Sequence, residues 1–276
     1  EILNSIDVND ESKFYWNYNV GNHFAILGEQ NEKNSELPVG QYMIVHASAI
    51  ELKKNNFKYG LYPVPGNWYY NDIKTEYDTE SNRYLRYIYG EKAIKFNKLA
   101  QLLQTINKER NRYFCQKVLG DLAGEEIINL SHYGMPTNNA VCIGCQWEQE
   151  DFTLLTAPGN DIFLVHPEIN SNNTIQLNNK TITLTPHGCG VKLNNSNDSI
   201  NYLNDGIEIG GKYFKKGQSI NIGNDVSVRT LNMNKQQLQE HIDNIMKICP
   251  GEIFGQIHQL FARTKHGDFD YTNGEK

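Results

Sequence analysis

The stretch TITLTPHGCGVKL, residues 181–193, contains a cysteine whose thiol could act as a nucleophile. Cys189 lies between Gly188 and Gly190 and follows a β-branched run that predicts a strand. Glycines let backbone N–H groups approach an oxyanion closely, because they adopt dihedral angles that other residues avoid. A thiol is mostly protonated at neutral pH, so this chemistry also requires a base within reach of Cys189.

His132 is the base that the sequence offers. It follows the apolar run IINL, which predicts another strand ending in a turn. This order resembles the layout of caspase-like peptidases and implies a cysteine-dependent hydrolase or transferase with His132 and Cys189 as catalytic residues. Those enzymes have glycine directly after the histidine, whereas Tyr133 stands here. The alternative is that both residues are ordinary strand ends.

A metal site is another interpretation of the same stretch. Cys142 and Cys145 form a C-x-x-C pair, and His187 and Cys189 form an H-x-C pair. Together they are four ligands of the number and kind that structural zinc takes, which would make this a zinc-stapled domain. The alternative is that Cys142 lies in a buried strand, as cysteine often does. No phosphate-loop or nucleophile-elbow motif occurs, and no cofactor is expected.

An aromatic segment, YGLYPVPGNWYY at residues 59–70, is the candidate binding surface. Its proposed anchors are Tyr62, Trp68, Tyr69 and Tyr70. Large aromatic side chains dominate the energy of many interfaces, and the prolines limit the entropy that the segment would lose on binding. We therefore expect these rings to be exposed and contiguous if the chain binds a protein or small-molecule partner through them.

The secondary-structure elements that must position these residues include both strands and helices. Short apolar runs at 22–30, 40–50 and 160–169 predict strands. Residues 92–124 predict a helix, with Gly120 as a stop and five apolar residues near helical spacing: Ile94, Leu99, Leu102, Leu103 and Ile106. Residues 233–263 predict a helix broken at Pro250–Gly251, followed by a second helix or a strand.

These elements predict a mixed α/β (α+β) fold, with a central sheet, flanking helices and a β-rich segment near 170–230. We expect an α/β core over residues 1–169, a β-rich insertion or subdomain over 170–230, and a C-terminal helical segment over 231–276 that completes the core. Polar–apolar alternation broken by Asn and Gly predicts that the middle segment is a β meander.

Composition excludes several functional classes. The 276 residues carry a net charge of −6 and no dominant basic cluster, so we expect no nucleic-acid partner. No apolar run approaches the ~20 residues that span a bilayer, so we expect no transmembrane segment. The five cysteines are expected to be reduced thiols, because a chain of this length needs no disulfide scaffold.

Four stretches, in order, resemble the bacterial Stv adhesin domain family: NHFAILGEQ, LPVGQYMIVHASA, EIINLSHYGMP and FGQIHQLFAR. The last is similar to a family strand of the form I-H-C-x-F-C-R. His258, Phe261 and Arg263 match it, whereas Gln259 and Ala262 replace the cysteines. If those cysteines perform chemistry in the family, this chain either lacks that chemistry or has it elsewhere.

The resemblance implies a bacterial virulence protein, a secreted effector or host-interaction domain. Its expected location is outside the bacterium or inside a host cell, although the sequence, which begins at Glu1, displays no export signal. Binding of a protein or small molecule, a host molecule included, is therefore the leading expectation, and the cysteine-dependent enzyme is the alternative.

Overall fold

The computed structural model describes residues 18, 23–48, 61, 63, 65–80, 83–131, 134–137, 140–142, 145–148, 151–156, 159–171, 173–177, 179–188, 192–193, 200–209, 211–215, 218, 228–229 and 235–272. Within these residues the fold is mostly β-sheet with two α-helices. The helices are α1 (Gly90–Leu119) and α2 (Lys235–Ile248).

The strands, in chain order, are β1 (Phe24–Gln30), β2 (Gly40–His46), β3 (Lys74–Asp78), β4 (Arg83–Tyr87), β5 (Gly134–Thr137), β6 (Ala140–Cys142), β7 (Cys145–Gln146), β8 (Phe152–Leu154), β9 (Ile162–Pro167), β10 (Thr174–Leu177), β11 (Lys180–Thr183), β12 (Thr185–Pro186), β13 (Lys192–Leu193), β14 (Ile200–Leu203), β15 (Gly206–Ile209), β16 (Lys212–Lys215), β17 (Val228–Arg229), β18 (Gly251–Thr264) and β19 (Gly267–Asp270).

The largest sheet has six antiparallel strands in the order β2-β1-β18-β9-β8, with β19 also paired to β18. β18 organises it, because one edge of this 14-residue strand pairs with β1 while the other pairs first with β9 and then with β19. Gly255, Ile257 and Gln259 are buried in alternation. A register shift at Leu27/Gly28 then interrupts this period of two, so that Ala262 is buried and Phe261 is exposed.

Both helices bury an apolar stripe. Leu99, Leu103 and Ile106 of α1 form a core cluster with Leu61, against which Trp68 packs. Leu238 and Ile242 of α2 pack with Phe152, Leu154, Phe163 and Val165 of β8 and β9. The i, i+3 and i+4 spacing of these residues places them on one face of each helix.

The helix predictions are confirmed in their main features. α1 ends at Gly120, whose φ of 56° is a left-handed conformation that glycine adopts without steric cost. Ile94 is the exception, because it is exposed near the N-terminal end of α1 and takes no part in the core. The helix predicted near 233–249 is also present, and the chain after Pro250 is the strand β18.

The predicted strand before His132 is wrong. Residues 123–131 have no regular secondary structure and are held to other segments by side chains. The Asn129 amide donates to the Lys108 carbonyl, and the Ser131 N–H donates to the Glu148 carboxylate. Side-chain contacts therefore replace the backbone ladder that the apolar run IINL predicted.

Most strands of the β-rich segment pair with one another, whereas β12 pairs with β7 outside the segment. β10 and β11 form a hairpin, and β14, β15 and β16 form a three-stranded meander, as the alternation predicted. Among the described residues, neither helix is both long enough and apolar enough to cross a membrane.

Candidate functional site

The aromatic segment packs largely against α1. Tyr69 is 4% exposed, its hydroxyl donates to the Leu61 carbonyl, and its ring meets Phe96 edge-on at 5.3 Å. Trp68 is half-buried, with the Lys95 ammonium 5.1 Å from its ring centre. Burial raises the pKa of Tyr69 to about 12. The buried ring of Tyr69 offers a partner almost no accessible surface.

Two members of the predicted binding set have other placements. Tyr70 begins a short 3-10 turn and is half-buried, and Tyr62 lies outside the described residues. Trp68 and Tyr70 therefore keep partial exposure, whereas Tyr69 contributes to the core. Burial of Tyr69 follows from its position beside the apolar stripe of α1, which a reading of residues 59–70 alone does not reveal.

Four exposed aromatic side chains lie just after that segment, on or next to the hairpin of β3 and β4. We call residues 74–89 the tyrosine hairpin. Five of its large apolar side chains are between 38% and 63% exposed: Tyr77, Tyr84, Leu85, Tyr87 and Tyr89. An apolar group of this size on a folded surface commonly marks an interaction site, because leaving it in water forfeits about 25 cal/mol per Å² of possible burial.

The register of the hairpin arranges these side chains in pairs. Tyr77 lies opposite Tyr84, and their ring centres are 5.2 Å apart. Leu85 lies opposite Glu76, whose carboxylate accepts a hydrogen bond from the Tyr87 hydroxyl. This hydrogen bond raises the pKa of Tyr87 above its usual range. The rings are thus held in a defined arrangement on the surface.

The hairpin is also structurally isolated. Within the described part of the chain, neither β3 nor β4 pairs with a third strand. Residues 74–77 and 84–87 are all exposed, so both faces of the ribbon contact solvent. A two-stranded hairpin is marginally stable in water, and further strands or a packed face stabilise it. The tyrosine hairpin therefore has both the surface and the open edges that a partner could cover.

The C-x-x-C pair lies next to the stretch that contains Cys189. Cys145 of β7 lies opposite Pro186 of β12, one residue before His187. Burial, followed by the neighbouring Cys145 thiol, raises the pKa of Cys142 to about 12. The described residues contain no group of three or more His, Cys, Asp or Glu placed to hold a metal ion. Cys189, the fourth predicted ligand, lies outside them.

His187 belongs to a row of three imidazoles that we call the histidine cluster: His23, His46 and His187. The ring centre of His46 is 4.8 Å from that of His187 and 5.8 Å from that of His23. His23 and His46 are buried, and Nε2 of His23 lies 3.2 Å from Oγ of Ser48. Burial lowers the pKa of His187, which favours the neutral form that accepts protons.

The predicted catalytic residues, His132 and Cys189, both lie outside the described residues. Their described neighbours meet the same short segment, 145–148. Ser131 is buried, and its N–H and hydroxyl lie 2.7 and 3.1 Å from the oxygens of Glu148. Cys145, at the other end of the segment, belongs to the strand that pairs with β12. The tertiary structure therefore brings Ser131 and β12 to the same segment.

A histidine–carboxylate pair that the sequence patterns did not indicate as catalytic lies on the main sheet. Nδ1 of His258 is 2.6 Å from Oδ1 of Asp161, and the Gln256 amide donates to Oδ2 at 2.6 Å. The Gln259 amide donates to the Asn160 carbonyl and so holds the loop that precedes β9 and contains Asp161. This geometry orients the imidazole and can support proton transfer at Nε2. The only sequence signal for it was the match of His258 to the Stv strand.

No protein-family model, curated protein or solved structure matches this chain.

Proposed function

We propose that this chain is a protein-binding domain whose contact surface is the tyrosine hairpin. The observation that carries this proposal is the concentration of four exposed large apolar side chains on one two-stranded ribbon, with Tyr89 exposed just after it. Tyrosine provides a large contact area with few rotatable bonds, so its immobilisation costs little entropy. The Tyr77–Tyr84 pair and the hydrogen bond from Tyr87 to Glu76 restrict these side chains before any partner arrives.

The shape of the hairpin favours a protein over a small molecule. Pockets for small molecules are concave and enclose most of the ligand surface. A ribbon exposed on both faces encloses nothing, whereas its edges and rings suit the extended surface of another polypeptide. Trp68 and Tyr70 lie just before the hairpin in the chain and are partly exposed.

The wider role that we propose is a secreted bacterial effector or host-interaction domain, acting outside the bacterium or in a host cell. The similarity of four stretches to the Stv adhesin family supports this role. We further propose that the six-stranded sheet is the central sheet, that α1 and α2 flank it, and that residues 170–230 are a β-rich subdomain between 1–169 and 231–276. The packing of α2 on β8 and β9 supports this arrangement.

The test compares a doubly substituted hairpin, Tyr84→Ala with Leu85→Ala, with a matched control, Tyr213→Ala. Tyr213 is 47% exposed on β16, close to the 48% of Tyr84. Each immobilised protein is exposed to host-cell extract, and the retained proteins are quantified by mass spectrometry. A partner retained by the wild type is then purified and titrated.

We expect the control to bind that partner like the wild type, and the hairpin variant to bind at least about tenfold more weakly, since central aromatic anchors typically contribute 2 kcal/mol or more. Equal affinities of all three proteins would exclude the hairpin as the contact surface.

A second candidate function is a cysteine-dependent hydrolase or transferase that uses Cys189 and His132. The observation favouring it is the histidine cluster, which lies beside the stretch leading to Cys189. The Cys189 sulfur would attack a substrate carbonyl to form an acyl-enzyme, an imidazole would take the thiol proton and return it to the leaving group, and water or another acceptor would then release the acyl group.

Thiol reactivity tests this second function. Burial raises the pKa of Cys115 to about 11, of Cys142 to about 12, and also that of Cys249, so these three thiols should react slowly at neutral pH. We expect iodoacetamide to modify Cys189 first and His132→Asn to slow that modification about tenfold. A Cys189 that reacts no faster than Cys142 would contradict the enzyme interpretation.

A zinc-stapled domain is the further alternative, with Cys142, Cys145, His187 and Cys189 as ligands. The pairing of β7 with β12, which places Cys145 opposite Pro186, the residue before His187, favours it. Metal analysis of the purified protein should then find about one zinc per chain, and chelation should lower the free energy of unfolding. Protein that is folded and free of zinc would exclude this interpretation.

A further inference from the structure

We infer that the β4 edge of the tyrosine hairpin pairs with β4 of a second copy of this chain, in an antiparallel ladder centred on Leu85. The inference rests on the proposed function, because it names a partner for the same hairpin. The resulting four-stranded sheet, β3-β4-β4-β3, would present two tyrosine hairpins side by side.

The outer edge of β4 is suited to this pairing. The strand β4 has five residues, and within the described part of the chain its only strand partner is β3. Leu85, at its centre, is 49% exposed. Unpaired strand edges are templates for another chain, and a third or fourth strand stabilises a hairpin that is otherwise marginal.

The sequence of β4, RYLRY, is complementary to itself in this register. A two-fold axis at Leu85 places Leu85 opposite Leu85 of the other copy and Tyr84 opposite Arg86. The next register position places Arg83 opposite Tyr87. Leucine against leucine buries apolar surface, and a guanidinium over a tyrosine ring is a favourable cation–π contact. No like charges lie directly opposite each other across this edge.

Self-pairing of two copies through the β3 edge would be unfavourable. Its sequence, KTEYD, has Glu76 at the centre, so the same symmetry would place two carboxylates opposite each other. Like charges directly opposite on neighbouring strands are destabilising. Shifting either strand from its centred register shortens the ladder. The centred β4 pairing is therefore the self-pairing that the hairpin favours.

Cysteine cross-linking tests the register. In the proposed dimer the two Leu85 Cα atoms would be about 4.5–5.5 Å apart, within the range that a disulfide spans. The two Thr75 positions, on the outer strands, would be about 16 Å apart, because three spacings of roughly 4.8 Å separate these strands and each Thr75 lies one residue away from the two-fold axis. Under mild oxidation, Leu85→Cys should form a covalent dimer, whereas Thr75→Cys and the wild type, with its own cysteines, should not.

Light scattering tests the dimerisation in proteins that carry no introduced cysteine. A five-residue ladder is a small interface, so the measurement uses protein at about 100 μM. We expect a dimer for the wild type and for the charge-reversal control Lys180→Glu on β11. Arg86→Glu removes the cation opposite Tyr84 and should weaken dimerisation about tenfold. Circular dichroism verifies that each variant is folded.

The outcomes separate this inference from the proposed function. A wild type that is monomeric at this concentration, with no Leu85→Cys cross-link, overturns the dimer whether or not a partner still binds the hairpin. A dimer that resists Arg86→Glu and cross-links equally through Thr75→Cys overturns the register. A dimer with the predicted cross-link, in a protein whose binding of another partner is insensitive to Tyr84→Ala with Leu85→Ala, supports the inference and restricts the proposed function of the hairpin to self-association.

Discussion

His166 at the end of β9 and Asp151 just before β8 form a hydrogen-bonded pair, with Nδ1 of the imidazole 2.6 Å from Oδ1 of the carboxylate. The ring stacks on Phe254 at 4.0 Å, and Nε2 lies 3.2 Å from the Glu36 carboxylate. The hydrogen bond from Asp151 is the main cause of a raised pKa for His166, with Glu36 contributing in the same direction. Two carboxylates thus stabilise the imidazolium in the folded protein.

Replacing Asp151 should change stability in a pH-dependent way. Because the folded-state pKa of His166 is raised, the pair contributes most below the unfolded pKa, about 6.5, and its contribution is lost as pH rises through the folded-state pKa. Asp151→Asn should therefore lower the free energy of unfolding more at about pH 5.5 than at about pH 8. Urea titrations at both pH values measure this difference. A loss that is equal at both would contradict the prediction.

The pKa of His187 should be shifted in the opposite direction from that of His166. Burial lowers its pKa, so the folded protein favours the neutral ring. That contribution to stability is present above the unfolded pKa and is lost as pH falls through the folded-state pKa. NMR titration of the imidazole Cε1–H signals should place the midpoint of His187 below, and that of His166 above, the ordinary value of about 6.5. His187→Asn and His166→Asn identify the signals. Overlapping midpoints would contradict both assignments.

Glu148 should be a stabilising residue. Its carboxylate accepts hydrogen bonds from the N–H and hydroxyl of Ser131, and it pairs with Lys108 at 2.6 Å. Glu148→Gln removes the charge and leaves donors without matched acceptors, so we expect a loss of about 1–3 kcal/mol in urea unfolding. The control is Glu109→Gln, since Glu109 pairs with Arg112 on an exposed helix surface and should contribute below about 0.5 kcal/mol. Equal losses for both variants would show that Glu148 has no special role.

Gly28 should not tolerate a side chain. A Cβ atom there would lie 2.5 Å from Cγ2 of Ile257 and 2.6 Å from the His258 carbonyl oxygen. Gly28→Ala should therefore destabilise the protein by roughly 1–3 kcal/mol through displacement of β18. Gly40→Ala, in the neighbouring strand β2, meets no atom within 4 Å and should be close to neutral. Thermal unfolding of the two variants provides the comparison, and similar midpoints would argue that β1 and β18 are less closely packed.

Local patterns predicted most of the secondary structure. Leu99, Leu103 and Ile106 lie on the buried side of α1, and Gly120 ends that helix as its position predicted. Strands β1, β2 and β9 lie within the apolar runs from which they were predicted. The IINL run before His132 failed as a strand because Asn129 and Ser131 bind other segments through side-chain contacts, which no apolar pattern records.

The candidate sites were less predictable. The aromatic segment indicated a binding surface, yet Tyr69 packs in the core while Tyr84 and Leu85, which lay outside the prediction, are exposed. Aromatic content alone cannot separate these cases, because the same ring serves a core or an interface according to what packs against it. Whether His132 and Cys189 meet remains a prediction that thiol reactivity tests.

By itself the sequence determined which segments have an apolar side, where helices begin and end, and which residue types could perform chemistry. These properties depend on spacing within one segment, through the periods of 3.6 and 2 residues. The tertiary structure decided which segments became neighbours. It brought His258 to Asp161 and His187 to His46, and it left the hairpin of β3 and β4 with exposed faces. Such contacts depend on the pairing and register of strands far apart in the chain, and alternation within a single strand does not encode its partner.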